Sequence, residues 1–289
     1  MDTADSLRRF VFEKEEIRGS IVRLDKTWQQ LAAADNYPPK VRPMLGEALA
    51  ATALLGRNLK FDGNLTLQIQ GGVHVRLLVL QCDNDLRMRG LAQFGDDLPD
   101  SFTELVDGSS LCVTVETTSH ESKRYQSIVP LSEVSLAESL GHYYRQSVQL
   151  PTFFMLAADE QRAAGLMLQV MPERKGGSGR WKRLVADLEG LDVSRISQLD
   201  ESVLLSAMFP EDDIRLFNSE PVCFHCDCSE ERIEAMLQLL GADELDELLN
   251  SQNPVEICCE FCNAKYLFPG ERIQRIRAEV MATAGKPLH

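Results

Sequence analysis

The sequence predicts an α+β fold with a mixed or antiparallel N-terminal sheet and helices on one side of it. Apolar residues alternate in several pairs of segments joined by short turns, a pattern typical of hairpins. Stretches with helical spacing lie between these pairs. Strands that run largely as hairpins favour an antiparallel or mixed sheet over a purely parallel one. A glycine-rich break then precedes short amphipathic segments and a cysteine-rich C-terminal region.

The N-terminal elements follow from these patterns in chain order. Residues 43–59 predict a helix with Pro43 at its start and an apolar face, and residues 135–146 predict a second helix. Gly71-Gly72 provides the turn of one hairpin, and an acidic turn at 159–161 provides another. Strands are predicted at residues 8–12, 17–24, 65–69, 75–79, 86–90, 111–115, 152–157 and 164–170.

The clearest break in the chain lies at residues 173–180, which contain three glycines. Beyond it, helical spacing at 181–188 and 203–209 predicts short helices without an obvious core of their own, and such helices are marginally stable alone. The pattern therefore predicts three parts. These are an N-terminal α+β domain at 1–175, a metastable helical linker at 176–220 and a small C-terminal module at 221–289.

Charge and composition exclude some classes of function. The 289 residues include 44 Asp and Glu against 30 Lys and Arg, which gives a net charge of −14. Such a surface repels phosphate backbones and anionic membranes. The sequence has no signal-peptide core, no apolar run long enough to span a bilayer and no nucleophile motif of the Gly-x-Ser-x-Gly type. We expect a cytoplasmic protein that binds neither nucleic acid nor membrane.

Six of the eight cysteines lie between residues 223 and 262, and their spacing predicts a zinc site. In a reducing cytosol, clustered cysteines indicate metal ligands or redox groups. Cys259 and Cys262 form a C-x-x-C pair. The first pair is ambiguous from spacing, because Cys223 with Cys226 and Cys226 with Cys228 are both possible. His225 is a conceivable ligand as well.

The residues around these cysteines predict a compact module. Ser229 can cap a helix with an apolar face, and a second short helix is predicted at 244–249. Alternating residues at 255–257 and 266–268 predict a hairpin on either side of the second pair. A unit this small has little core, so its fold should depend on the metal. Cys82 and Cys112 stand alone in apolar, strand-like context and are predicted to be core residues.

Taken together, these residues resemble the 33 kDa chaperonin family, heat shock protein 33, over essentially the whole chain. The C-terminal match is the strongest, and it comprises the C-x-C motif within 224–229 and the C-x-x-C motif within 256–263. Upstream segments also resemble the family: 37–39, 45–47, 65–72, 149–152 and 164–169.

The resemblance implies that Cys226, Cys228, Cys259 and Cys262 bind one Zn²⁺ in the reduced form. It implies that oxidation pairs the neighbouring ligands as disulfides, releases zinc and unfolds the module with the adjoining linker. The protein would then be a chaperone that binds unfolding proteins without ATP under oxidative stress, as a homodimer, and not an enzyme. Cys223 and Cys258 depart from the simplest family pattern and leave open which disulfides form.

Three other functions are compatible with a four-cysteine zinc site. Residues 221–289 carry twelve acidic and six basic side chains, which disfavours a zinc ribbon that binds nucleic acid. A thiol–disulfide oxidoreductase would place its C-x-x-C at the start of a helix, whereas the pattern here predicts a hairpin. An ordinary cytosolic protein with an inert structural zinc site remains the third alternative.

Overall fold

The structure is a computed structural model that describes residues 5–58, 63–117, 123–131, 133–171, 178–198, 200–251 and 253–284. The chain divides into two compact units, Met1–His225 and Cys226–His289. Most of the predicted break at 173–180 lies outside the described residues, so the proposed boundary at 175 is not described. Among the described residues, no helix combines the length and apolar character needed to cross a bilayer.

The first unit contains two sheets. The strands of the five-stranded sheet follow the order β10-β1-β2-β9-β8 and are all antiparallel. The second sheet has the order β11-β5-β4-β3-β6-β7, in which only β11 runs parallel to its neighbour. In chain order the strands are β1 Asp5–Phe12, β2 Ile17–Leu24, β3 Gly63–Gln70, β4 Val75–Cys82, β5 Arg87–Phe94, β6 Ser110–Thr117, β7 Arg124–Val129, β8 Thr152–Ala158, β9 Ala163–Val170, β10 Ile214–Pro221 and β11 Cys223–Phe224.

Helices pack on and between these sheets. In the first unit they are α1 Lys26–Ala32, α2 Arg42–Arg57, α3 Phe102–Leu105, α4 Leu136–Tyr143, α5 Ser178–Glu189, α6 Arg195–Gln198 and α7 Glu201–Met208. A π-helical turn, Tyr144–Val148, continues α4. Ser135 caps α4, because its hydroxyl accepts a hydrogen bond from the Glu138 backbone N–H.

The helix α2 forms the centre of the first unit. It packs against strands of both sheets and is buried along most of its length. Small side chains allow this close approach: a Cβ added at Gly46 would lie 2.4 Å from the Cβ of Ala158. Leu45, Leu49 and Leu54 are fully buried in the main core with residues of both sheets. The helix α2 therefore covers the inner face of the five-stranded sheet.

The outer face of the same sheet is covered by the segment 178–209, the larger part of the predicted linker. As the sequence pattern predicted, the described helices of this segment have no separate core, and they bury their apolar residues against the strands. The sheet contributes Phe10, Phe12, Ile17, Ile21, Met155, Leu166 and Leu168, and the segment contributes Leu184, Leu188, Ile196, Leu204, Leu205 and Phe209.

Several elements differ from the sequence prediction. Residues 214–220 were predicted to belong to a helical linker, but they form most of β10, which pairs antiparallel with β1. The helix predicted at 43–59 begins one residue earlier, at Arg42. The helix α1 and the strand β7 were not predicted. The predicted α+β class with a largely antiparallel sheet is confirmed.

The second unit is built from three helices and a hairpin in its described part. Its elements are α8 Glu230–Leu237, α9 Ala242–Ser251, β12 Val255–Cys258, β13 Lys265–Phe268 and α10 Gly270–Ala284. Seven apolar residues are buried in its core: Ile233, Leu237, Leu245, Val255, Phe268, Ile273 and Ile276. Arg272 of α10 forms ion pairs with Glu230 and Glu234 and lies over the Phe268 ring.

Candidate metal and redox site

Four cysteine sulphurs meet in the second unit. The Sγ atoms of Cys226, Cys228, Cys259 and Cys262 all lie within 4.8 Å of one another. Cys226 Sγ is 3.7 Å from Cys259 Sγ, and Cys228 Sγ is 3.3 Å from Cys262 Sγ. The structure thus brings C-x-C and C-x-x-C together, which the spacing alone left open for the first pair.

The first two thiols lie on a short connection that leads into α8. Ser229 ends this connection as the N-cap, and its hydroxyl accepts a hydrogen bond from the Arg232 backbone N–H at 3.3 Å. The Arg232 guanidinium returns a hydrogen bond to the Asp227 carbonyl at 2.8 Å. The backbone between Cys226 and Cys228 is therefore fixed by contacts from the first turn of the helix.

The other two thiols lie on the loop of the β12–β13 hairpin. The Asn263 N–H donates to the Cys259 carbonyl at 2.8 Å, and the Cys259 N–H donates to the Ala264 carbonyl at 2.9 Å. Asn263 has a φ of 56°, a left-handed conformation that Asn tolerates better than most residues. This tight loop turns Cys259 and Cys262 toward the same point.

The cluster has the composition and size that a tetrahedral zinc ion requires. Four thiolates at about 2.3 Å from a central zinc would lie about 3.8 Å from one another. Two of the sulphur separations are 3.7 and 3.3 Å, and all of them lie within 4.8 Å, which brackets that value. Thiolates favour soft or borderline metals over Mg²⁺ or Ca²⁺. The donor set therefore fits zinc.

The thiols influence one another's protonation. Burial raises the pKa of Cys226 and that of Cys262 above the ordinary thiol value. Burial also acts to raise the pKa of Cys228, but hydrogen bonds from the Tyr266 hydroxyl and the neighbouring thiols outweigh it and lower that pKa. The Tyr266 hydroxyl donates to Cys228 Sγ at 3.2 Å, which raises its own pKa to about 12.

The remaining cysteines have different surroundings. Cys82 and Cys112 are buried in the second sheet, as predicted. Cys223 is exposed in β11, where it pairs with Arg87 of β5. Cys258 is also exposed and lies outside the cluster at the end of β12, with its Sγ 3.8 Å from a Glu256 carboxylate oxygen.

His225, the alternative ligand, has a backbone role in the first unit. Its N–H donates to the Met88 carbonyl at 2.8 Å and so continues the pairing of β11 with β5. Sequence reasoning gave no role to Tyr266 beyond its place in the hairpin. Its hydroxyl contact with Cys228 depends on a residue 38 positions away, and no local pattern signals that contact.

Comparisons with known proteins agree over nearly the full chain. The family model described as Hsp33 protein matches residues 5–269. A 33 kDa chaperonin of Nitrosococcus oceani is 40% identical over 281 residues, which are 96% of each chain. A 33 kDa chaperonin of Chromobacterium violaceum is 36% identical over 292 residues, covering 100% of this chain and 99% of that one.

A solved structure shares the fold. The crystal structure of a 33 kDa chaperonin (heat shock protein 33 homolog) from Thermotoga maritima superimposes with a TM-score of 0.82, covering 96% of this chain and 99% of that one. Its sequence identity is 21%, so this likeness concerns the fold alone. With the family model and the curated relatives, the conclusion is direct: this chain belongs to the Hsp33 family.

Proposed function

We propose that this protein is a cytoplasmic, redox-regulated holdase chaperone that binds unfolding proteins without ATP under oxidative stress. The curated relatives are named chaperonins, which supports a chaperone rather than an enzyme. One observation carries the redox part of the proposal. Four thiols cluster in a unit that buries only a small apolar core in its described part.

In the reduced state, Cys226, Cys228, Cys259 and Cys262 hold one Zn²⁺ as thiolates. Zinc held by these thiolates would cross-link the two halves of the small unit and supply folding free energy, about 10–16 kcal/mol in zinc-finger peptides. The chain's own contacts orient the ligands. The Tyr266 hydroxyl directs a hydrogen bond at Cys228, and the Asn263 turn sets the second pair.

Oxidation removes the charge that holds the metal. Each disulfide forms from two thiolates, with two electrons passing to one hydrogen peroxide, which takes up two protons and leaves as two waters. Following the family pattern, Cys226 pairs with Cys228 and Cys259 pairs with Cys262. Two disulfides would consume two peroxides per chain and leave no thiolate among the four cysteines to hold zinc, and the small unit would then unfold.

Unfolding then spreads to the linker. The segment 178–209 consists of three short helices that depend on packing against the sheet. Its polar attachments to the first two strands include the 2.8 Å hydrogen bond from the Ser6 hydroxyl to Glu201 and the 3.3 Å ion pair of Glu201 with Arg8. Release of this segment uncovers the apolar outer face of the five-stranded sheet. That face and the apolar sides of the freed helices form the client surface.

The proposed partners are unfolding or aggregation-prone proteins, together with a second copy of the chain on oxidative activation. A thiol–disulfide oxidoreductase is disfavoured by the position of the C-x-x-C pair. Such enzymes place the pair at the start of a helix, whereas Cys259 and Cys262 lie between β12 and β13. The negative net charge disfavours nucleic acid and anionic membranes.

An aggregation assay with a thermally unfolding protein tests the proposal. Peroxide-treated protein should suppress light scattering at a stoichiometric ratio without ATP, and zinc-loaded reduced protein should not. The Cys226→Ser variant should lose zinc and be active without oxidant. The matched exposed-thiol variants Cys223→Ser and Cys258→Ser should keep zinc and the oxidant requirement. Equal activity of the reduced and oxidised wild-type protein would leave only an inert structural zinc site.

A further inference from the structure

A cavity of about 730 Å³ lies in the first unit, outside the thiol cluster. It is bordered by α4, by the edge strand β8 and by α5. Phe153 and Met155 of β8 and Trp181 and Val185 of α5 provide apolar walls. Sites for small organic molecules have volumes of about 300–1,000 Å³ and mostly apolar walls with a few polar groups. The cavity therefore has the size and lining of a ligand site.

One carboxylate in this cavity lacks a protein partner and is also shielded from solvent more than the exposed Glu138 and Glu189. Glu47 reaches the cavity from α2, the central helix. In the described part of the chain, no hydrogen bond or ion pair engages its carboxylate. Burial raises the pKa of Glu47 from 4.5 to about 7. A partly buried carboxylate without a protein partner is unfavourable, and a bound cation would relieve that cost.

The other charges around the cavity are also mainly negative. Glu133, Glu138 and Glu189 line it together with Glu47, while Arg145 is the one Lys or Arg among the lining residues. The Glu133 carboxylate already has a partner in the protein, because His142 Nδ1 lies 2.8 Å from it. An anionic ligand would face this excess of carboxylates, and a neutral ligand could donate a hydrogen bond to Glu47 but would not balance its charge.

We propose that the cavity binds a small amphipathic organic amine, with its ammonium group at Glu47 and its apolar body against Phe153, Met155 and Trp181. The charge excess selects a cation, and the apolar walls require more than a bare ion. The recognised chemistry is one cationic nitrogen attached to an apolar group of a few carbon atoms.

The position of the cavity links such a ligand to the linker. Trp181 and Val185 belong to α5, which packs on the outer face of the sheet. The site is complete only while α5 is docked, so a bound amine stabilises the docked state over the released one. This consequence rests on the proposed function, because it treats linker release as activation. The binding of the amine to the cavity is independent of the proposed function.

Fluorescence titration of the reduced, zinc-loaded full chain with phenethylamine tests the binding. The chain has two Trp residues, and Trp28 is fully buried, so Trp181 reports on the cavity. We expect saturable binding that weakens at least tenfold in Glu47→Gln. The exposed carboxylate variant Glu160→Gln, at the β8–β9 turn, should bind within twofold of wild type. Calorimetry on the same proteins checks the affinities independently.

A neutral analogue provides a test that needs no variant. We expect 2-phenylethanol, which replaces the ammonium group by a hydroxyl, to bind wild type at least tenfold more weakly than phenethylamine. The inference is overturned if wild type shows no saturable amine binding, if alcohol and amine bind equally, or if Glu47→Gln folds and binds the amine like wild type. If Glu47→Gln does not fold, the comparison of amine with alcohol decides.

The effect on activation separates this inference from the proposed function. At saturating phenethylamine, peroxide activation in the aggregation assay should slow several-fold in wild type and stay unchanged in Glu47→Gln. Amine binding by a protein that never becomes a chaperone would refute the proposed function and leave the site intact. Oxidant-dependent chaperone activity without amine binding would refute the amine site and leave the proposed function intact.

Discussion

The two units of this protein reach a folded state by different means. Of the described residues, thirty-nine are buried in the main core of the first unit, whereas seven are buried in the core of the second. The first unit wraps two sheets around α2 and buries a large apolar core there. The second unit brings four thiols together where its apolar core is small, so a metal can contribute as much as the side chains do.

This difference in core size indicates which part of the molecule can respond to oxidation by unfolding. Oxidation or mutation of the thiols should strongly lower the stability of the second unit and should hardly change the stability of the core around α2. The expected response of the segment 178–209 is intermediate. Its amphipathic helices have apolar residues, but these are buried only by packing against the five-stranded sheet. The stability of this docked segment therefore decides whether oxidation of the thiols exposes the outer face of the five-stranded sheet.

Oxidation should give the largest effect. Peroxide treatment should remove hydrogen-exchange protection across about 181–289, while the hairpin of β3 and β4 keeps its protection. The physical reason is that disulfides remove the metal ligands, whereas the core around α2 contains no part of the site. Hydrogen exchange with mass spectrometry on reduced and oxidised protein measures it. A linker that stays protected after zinc is lost would mean that the second unit does not hold it in place.

Truncation of a linker side chain should mimic part of that effect. Leu188→Ala removes a side chain that is 1% exposed against the sheet, and it should lower the opening free energy of 178–209 by about 2–4 kcal/mol. Protection of α2 should not change. The control is Val203→Ala on α7, a residue 54% exposed, which should alter the opening free energy by less than about 0.5 kcal/mol. Equal effects of the two variants would contradict the docking described for the linker.

Glu47→Gln should change how the first unit responds to pH. Burial raises the pKa of Glu47 above its unfolded value, so the folded state binds more protons between pH 4.5 and about 7. The wild-type unit should therefore lose stability as pH rises through that range. A shift from 4.5 to about 7 corresponds to about 3 kcal/mol at 1.36 kcal/mol per unit.

The glutamine variant should lack this slope and be the more stable protein at pH 8. Urea unfolding followed by Trp28 fluorescence, in a Trp181→Phe background, reports on the first unit. Differences between wild type and Glu47→Gln at each pH remove the contribution of the thiols. Parallel stability curves for the two proteins would show that the carboxylate is solvated in the folded state.

His225→Ala should give the smallest effect. Its backbone N–H continues the β11–β5 pairing, and the four sulphurs already supply a full tetrahedral set. Zinc affinity measured by competition with a chelator should stay within twofold of wild type. A large loss of affinity would mean that His225 replaces one thiolate as a ligand.

Elements could be predicted where the sequence pattern that specifies them lies within one short stretch of the chain. The hairpin of β3 and β4 could be predicted because alternation and the Gly71-Gly72 turn lie in one short stretch. The strand β10 could not, because its partner β1 lies about two hundred residues earlier and its own burial does not alternate. The helix α10 was missed because charged residues dilute its apolar positions, of which Ile273 and Ile276 are buried.

The candidate site shows the same dependence. The C-x-x-C pair follows from spacing, since a tight loop places both sulphurs together. The choice of Cys226 and Cys228 over Cys223 came from the family resemblance, because spacing allows both. The cavity at Glu47 has no sequence signal at all. Its lining comes from α2, α4, β8 and α5, and only the packed fold brings these together.

The pairing of β10 with β1 also affects how the chain folds during synthesis. The strand β1 is made first, yet one of its two neighbours is residues 214–221, near the end of the first unit. A ribosome adds roughly 5–20 residues per second, so one edge of β1 stays open for about ten seconds or more while the intervening chain emerges. An open edge can pair with other chains. This nascent protein therefore passes through the kind of aggregation-prone state that its mature form is proposed to recognise in others.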